Sequence, residues 1–194
     1  MRLVKRLLKF VIWVIVFGGF ATFVGYHYLK STSEDFISAD EFEELAGRIE
    51  FADNLPERFY ELYEEAYPKV LSTSLNKQLV KGFFAKNYVK SPSILASTIS
   101  KFSRKDGDST SISRKKAYVL AWKLEDRRTQ KECLNWALHN YQFTIDFKGI
   151  NQVAQFYFAK PLENLTDQEF KDIIALMKKP SLVSLPKRGP LGTH

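Results

Sequence analysis

The sequence predicts a mainly α-helical domain carried behind one transmembrane helix. Three observations carry that prediction: a single uninterrupted apolar run near the N-terminus, apolar residues recurring at i, i+3, i+4 and i+7 through most of the remainder, and Ser/Thr-x-x-Glu capping boxes at the heads of three segments. No stretch alternates at period two well enough to be read as a sheet.

The apolar run comes first. From Phe10 to Tyr28 the chain reads FVIWVIVFGGFATFVGYHY, without Asp, Glu, Lys or Arg. Roughly 20 such residues cross a hydrocarbon core of about 30 Å. Arg2, Lys5, Arg6 and Lys9 precede the run, and the acidic STSEDFISADEFEE follows Lys30. The positive-inside rule then keeps the N-terminus cytoplasmic and puts the domain on the extracytoplasmic (periplasmic) side of the inner, cytoplasmic membrane. Tyr26 and Tyr28 suit the outer aromatic belt. Gly19-Phe20-Ala21 loosely resembles a signal-peptide cleavage site, but the apolar Phe23 and Val24 beyond it favour a retained anchor.

The helical segments follow in order. Ser38-Ala39-Asp40-Glu41 opens a short helix ending near Gly47. Residues from about Pro56 to Tyr67 form a second, with Phe59, Leu62, Tyr63 and Ala66 on its buried side. A third runs from about Asn76 to Val89 through Leu79, Val80, Phe83 and Phe84. Residues 90–110, polar, basic and Ser-rich, lose periodicity and read as a mobile loop. Ala117, Leu120, Ala121 and Leu124 mark the clearest helix. Thr129-x-x-Glu132 caps the next, packed through Cys133, Leu134, Ala137 and Leu138. Ile150, Val153, Ala154, Tyr157 and Phe158 bury another, and Thr166-x-x-Glu169 caps the last, with Phe170, Ile173, Ile174 and Met177 inside and Pro180 beyond. The implied division is a basic cytoplasmic tail (1–9), the transmembrane helix (10–28), a linker with a short helix (29–54), the main domain (55–182) and a basic C-terminal tail (183–194).

Composition narrows the partners. A formal net charge of +7 calls for an anionic one: nucleic acid, phospholipid headgroups or a pyrophosphate. An extracytoplasmic domain removes nucleic acid. The single cysteine, Cys133, forms no intrachain disulfide, and the scattered His27, His139 and His194 give no metal site.

GINQVAQFYFAKPLENLTDQEFKDIIALMKKPS resembles a signature of the peptidoglycan glycosyltransferases, the transglycosylases of glycosyltransferase family 51. That signature runs G-I-x-x-A-A-x-x-Y-F-G-K, then L-T-x-x-E, an apolar helix and K-x-P-S. Gly149, Ile150, Ala154, Tyr157, Phe158, Lys160, Leu165, Thr166, Glu169, Lys179, Pro180 and Ser181 fit it. AWKLEDRRTQKECL is similar to the family's L-E-x-x-x-S-K-x-E-I-L helix pair, and LASTISKF to its G-A-S-T-I-T-Q-Q loop. The resemblance spans roughly residues 55–182 and looks like a divergent, monofunctional type. It implies a lysozyme-like helical domain with a smaller membrane-proximal jaw around residues 75–110. It also implies a substrate, lipid II or the growing peptidoglycan glycan strand, beside membrane lipids and other cell-wall synthesis proteins.

The family's residues carry over unevenly. Counting back from Ser97 by the family's spacing reaches Glu64, the position of the first catalytic glutamate, which deprotonates the acceptor sugar; Glu65 is the lesser candidate. Local pattern alone would leave Glu64 on a solvated helix face. Ser97, Thr98, Lys101, Lys105, Arg114 and Lys115, with Arg104, are the expected pyrophosphate contacts. The second glutamate of R-K-x-x-E falls on Ala117 or Tyr118, neither an acid. The Gln-Gln pair has become Lys101-Phe102, Y-L-N aligns with Ala137-Leu138-His139, and F-G with Phe143-Thr144. The family often adds Mg²⁺ or Mn²⁺ beside the second acid; the residues themselves assign no metal ligand.

Three functions fit this pattern: a glycosyltransferase elongating strands from lipid II with Glu64 as base, a non-catalytic lipid II- or glycan-binding or scaffold protein, and a glycan-cleaving enzyme of lysozyme-like class.

Overall fold

A computed structural model describes residues 2–84, 91–143 and 147–178, and among them the chain is helical apart from one short hairpin. The helices are α1 (Arg2–Ser31), α2 (Ala39–Glu50), α3 (Glu57–Ala66), α4 (Leu75–Phe84), α5 (Pro92–Ile99), α6 (Arg114–Glu125), α7 (Gln130–Asn140), α8 (Ile150–Phe158) and α9 (Asp167–Lys178). Strands β1 (Arg104–Lys105) and β2 (Asp108–Ile112) pair antiparallel between α5 and α6.

The three capping boxes form. Ser38 and Thr129 exchange both hydrogen bonds with Glu41 and Glu132, and Thr166 does so with Glu169. Each satisfies amides that a helix start leaves orphaned.

Helix α7 is the axle of the domain. Leu134 and Leu138 face a core shared with Phe59 and Tyr63 of α3, Ile150 and Val153 of α8, and α9. Cys133 and Ala137, on its other side, pack with Leu45 and Ile49 of α2, Ala96 of α5 and Leu120 of α6. Burial pushes the Cys133 thiol well above its usual range, so it stays a protonated core group. Residues 39–50 thus belong to the packed body.

Helix α1 is one continuous rod, long and apolar enough to cross a membrane, with its apolar side chains exposed. Its C-terminal end docks on α6. The Tyr26 and Trp122 rings meet edge-on at 5.2 Å, Lys30 pairs with Asp126, and the Lys30 ammonium lies over the Tyr26 ring.

Several expectations need correction. Residues 91–99 are no loop: α5 is buried between α6 and α7, with Ser91, Ser93 and Ser97 fully inside. Its serines read as polar surface, yet their hydroxyls bond inward, Ser97 to the Ala117 carbonyl at 2.8 Å and Ser93 to Glu125 at 2.8 Å. The hairpin also departs from a reading without strands; Gly107 (φ +75°) makes its turn. Helix α2 continues past Gly47 to Glu50, drawn on by the burial of Ile49. Ala66 is exposed, because Tyr67 takes the buried position one residue later. In α8, Tyr157 and Phe158 are only half-buried. The expected end of α4 near Val89, Thr144, Lys179-Pro180-Ser181 and the tail 183–194 lie outside the described residues.

Candidate functional site

Glu64 sits in the last turn of α3, half-buried beside the core residue Tyr63. One of its carboxylate oxygens, Oε1, is buried and has no hydrogen-bond partner. Leaving a buried polar atom unpaired costs about 1–3 kcal/mol, and native folds rarely tolerate it without a reason. Tyr63 and Tyr67 stack edge-on at 4.9 Å, and burial pushes both phenols up, Tyr67 to about 12. Glu65 differs: it is exposed, 3.7 Å from the Lys171 ammonium, on the rim of a shallow cavity of about 310 Å³ floored by Leu62 and Ile174.

The cations gather elsewhere, where α5 ends and α6 begins. Lys101 follows α5, Arg104 and Lys105 form β1, and Arg114 and Lys115 open α6. Lys101, Lys105, Arg114 and Lys115 are exposed and make no ion pair among the described residues. By contrast Arg58, Arg127, Arg128, Lys131 and Lys160 each pair with an acid. Cations in a helix's first turn oppose its macrodipole, and that turn of α6 holds no acid to offset them. The arrangement favours an anion.

Ser103 belongs to this end, and sequence reasoning missed it. Its carbonyl accepts the amide of Ser113, the N-cap of α6, at 2.8 Å, while its own hydroxyl is buried without a partner. Ser103 is itself fully buried, so this hydroxyl is an unpaired donor inside the fold beneath the cations' end of α6 and does not face outward. No local signal marks it, because its burial is set by contacts distant in sequence.

The other expected contacts divide. Thr98 is half-buried near the end of α5. Ser97 is fully buried, and its hydroxyl donates to the carbonyls of Ile94 and Ala117. It therefore ties α5 to α6 instead of facing outward. Ala117 itself is 4% exposed, and Tyr118 packs against Trp122. Ala117 is thus core, and Tyr118 is partly buried. Among the described residues no cluster of three or more His, Cys, Asp or Glu side chains could hold a metal.

The Transglycosylase family profile matches residues 72–190, more than half of the chain. The chain belongs to the transglycosylase family. That match begins after Glu64, and covers the hairpin and α4 to α9. Penicillin-binding protein 4 of Bacillus subtilis (strain 168) is 37% identical over 73 residues, which are 37% of this chain and 12% of that protein. The matched stretch therefore represents a small part of the relative. No solved structure matches the chain.

Geometry explains why some transglycosylase signature residues are needed. Lys160 reaches both oxygens of Glu169, at 2.8 and 3.0 Å, while Glu169 caps α9. Desolvation raises the Glu169 carboxyl, but the Lys160 and Thr166 donors outweigh it and hold the group below the usual range. A carboxyl depressed on folding stabilises fully above its unfolded value of about 4.3 and loses that effect as the pH falls through the folded value. Glu169→Gln is therefore expected to cost about 1 kcal/mol at pH 7 and to flatten the acid limb of the stability curve, read by urea titration between pH 3 and 7.

Proposed function

We propose that this transglycosylase-family protein, anchored in the cytoplasmic membrane with its domain outside, binds lipid II and retains one acid, Glu64, of the family's catalytic pair. Its polymerising activity is weak or lost. The observation that carries the binding is the N-terminal end of α6, where Lys101, Lys105, Arg114 and Lys115 are exposed and make no ion pair among the described residues. A pyrophosphate at the leaflet surface supplies the complementary charge. The loss of turnover is argued from Ala117, buried where the second acid would stand.

A second reading, an active polymerase, draws support from the unpartnered oxygen of Glu64, an acceptor that no described group uses. One general base contributes about 10²–10⁴-fold, so a single acid can sustain slow turnover. In that case Glu64 would deprotonate the acceptor hydroxyl while the cations of α6 steady the departing pyrophosphate.

Fluorescent lipid II supplied to the detergent-solubilised full-length protein separates the readings. Saturable binding without glycan ladders is the expected result. Ladders would establish the polymerase, shortened strands from added glycan would point to cleavage, and no binding at all would sink the proposal.

A further inference from the structure

We infer that Glu125 is a positioning residue: its carboxylate clamps the first turns of α4 and α5, and so sets where Thr98 and Lys101 stand relative to Arg114 and Lys115. The inference rests on reading that end of α6 as the lipid II site. Glu125 closes α6 and accepts four hydrogen bonds from three donors. The Leu75 amide, first in α4, donates to both oxygens at 2.9 and 3.0 Å. Ser93, in the first turn of α5, donates its hydroxyl at 2.8 Å, and the Gln130 side-chain amide of α7 donates as well. Gln130 returns to α5 by accepting the Ser93 amide at 3.0 Å.

Two helix N-termini therefore converge on one carboxylate, with no ion pair to it among the described residues. Their positive ends and the three donors do what a cation would otherwise do. The second tie is the Ser97 hydroxyl on the Ala117 carbonyl, further along both helices. Helices α5 and α6 thus run antiparallel, pinned at the Glu125 end and again at Ser97 and Ala117, within about a turn of the far ends. Their other ends carry Thr98–Lys101 and Arg114–Lys115, about 16 Å from Glu125 along α6. No other described side chain joins α4, α5, α6 and α7 at one point.

Amide hydrogen exchange and fluorescent lipid II binding, on the full-length protein in nanodiscs, test this with Glu125→Ala and Glu125→Gln. Glu125→Ala is expected to speed exchange about tenfold at residues 75–78 and 92–95, to spread that loosening to 99–103 and 114–117, and to weaken lipid II binding about tenfold. Glu125→Gln keeps a carbonyl for Ser93 and Gln130 but sets an N–H against the Leu75 amide. Its loosening should stay within 75–78, with binding within about threefold of wild type. Unchanged exchange at 99–103 and 114–117 in Glu125→Ala would reduce Glu125 to a local cap and overturn the inference. If Glu125→Ala does not fold, Glu125→Asp, one methylene short, must show the same distant loosening or the inference fails. Wild type that binds no lipid II sinks the reading of the site, while the exchange pattern still decides the positioning role.

Discussion

Gly149→Ala is expected to destabilise the fold by about 2–4 kcal/mol. Gly149 N-caps α8 with φ 87° and ψ 148°, a region that side-chain-bearing residues essentially do not occupy. A Cβ there would lie 2.6 Å from the backbone carbonyl oxygen of His139, near the end of α7. Neither partner yields cheaply, since a helix end stands on each side and the Gly149 amide is itself bonded to the Tyr141 carbonyl at 2.8 Å. Because α7 serves both cores, the displacement reaches Leu138 and Ile150 together. A urea midpoint within experimental error of wild type would show that the turn relaxes freely. Gly107→Ala provides the contrast: φ is also positive, but nothing lies within 4 Å, so only the conformational cost of about 1 kcal/mol is expected.

Substitution at Glu64 should move stability and function in opposite directions. Its buried, unpartnered oxygen is a debit to the fold, so Glu64→Leu is expected to raise stability by about 1 kcal/mol. Glu64→Gln keeps the shape and removes the base, and whatever lipid II polymerisation the wild type shows should fall by about 10²-fold or more. Glu65→Gln, at an exposed position 3.7 Å from Lys171, should alter neither by a measurable amount. A stability loss in Glu64→Leu, with lipid II handling intact, would make Glu64 an ordinary helix residue. Equal polymerisation loss in both glutamine variants would shift the acid role away from Glu64 alone.

How legible these features were in the chain follows from the range of the interactions behind them. Helices α2, α7 and α9 were readable because period and capping boxes are local, written within a few residues of Ser38, Thr129 and Thr166. Helix α5 was not, because its serines look like loop until Glu125 and Ala117 receive their hydroxyls from 32 and 20 residues away. Local cues for it did exist: Ser91-Pro92 is a capping residue followed by proline at the first helical position. Asp106-Gly107 likewise announces a two-residue hairpin turn. For the site, residue types and order brought out Glu64 and the cations. Ser103 and Glu125 stayed hidden, since an unused hydroxyl and a shared acceptor leave no periodic trace.

For the lipid II binding proposed above, the docking of α1 on α6 would also fix how the domain meets its ligand. A flexible tether of n residues would let the domain roam by about 5–6 Å × √n above the bilayer. Tyr26 on Trp122 and Lys30 on Asp126 leave no such slack. The domain therefore surveys a plane and not a volume: it meets what diffuses laterally in its own leaflet, at one height and in one attitude. Turning the anchor about its axis turns the cations of α6 with it.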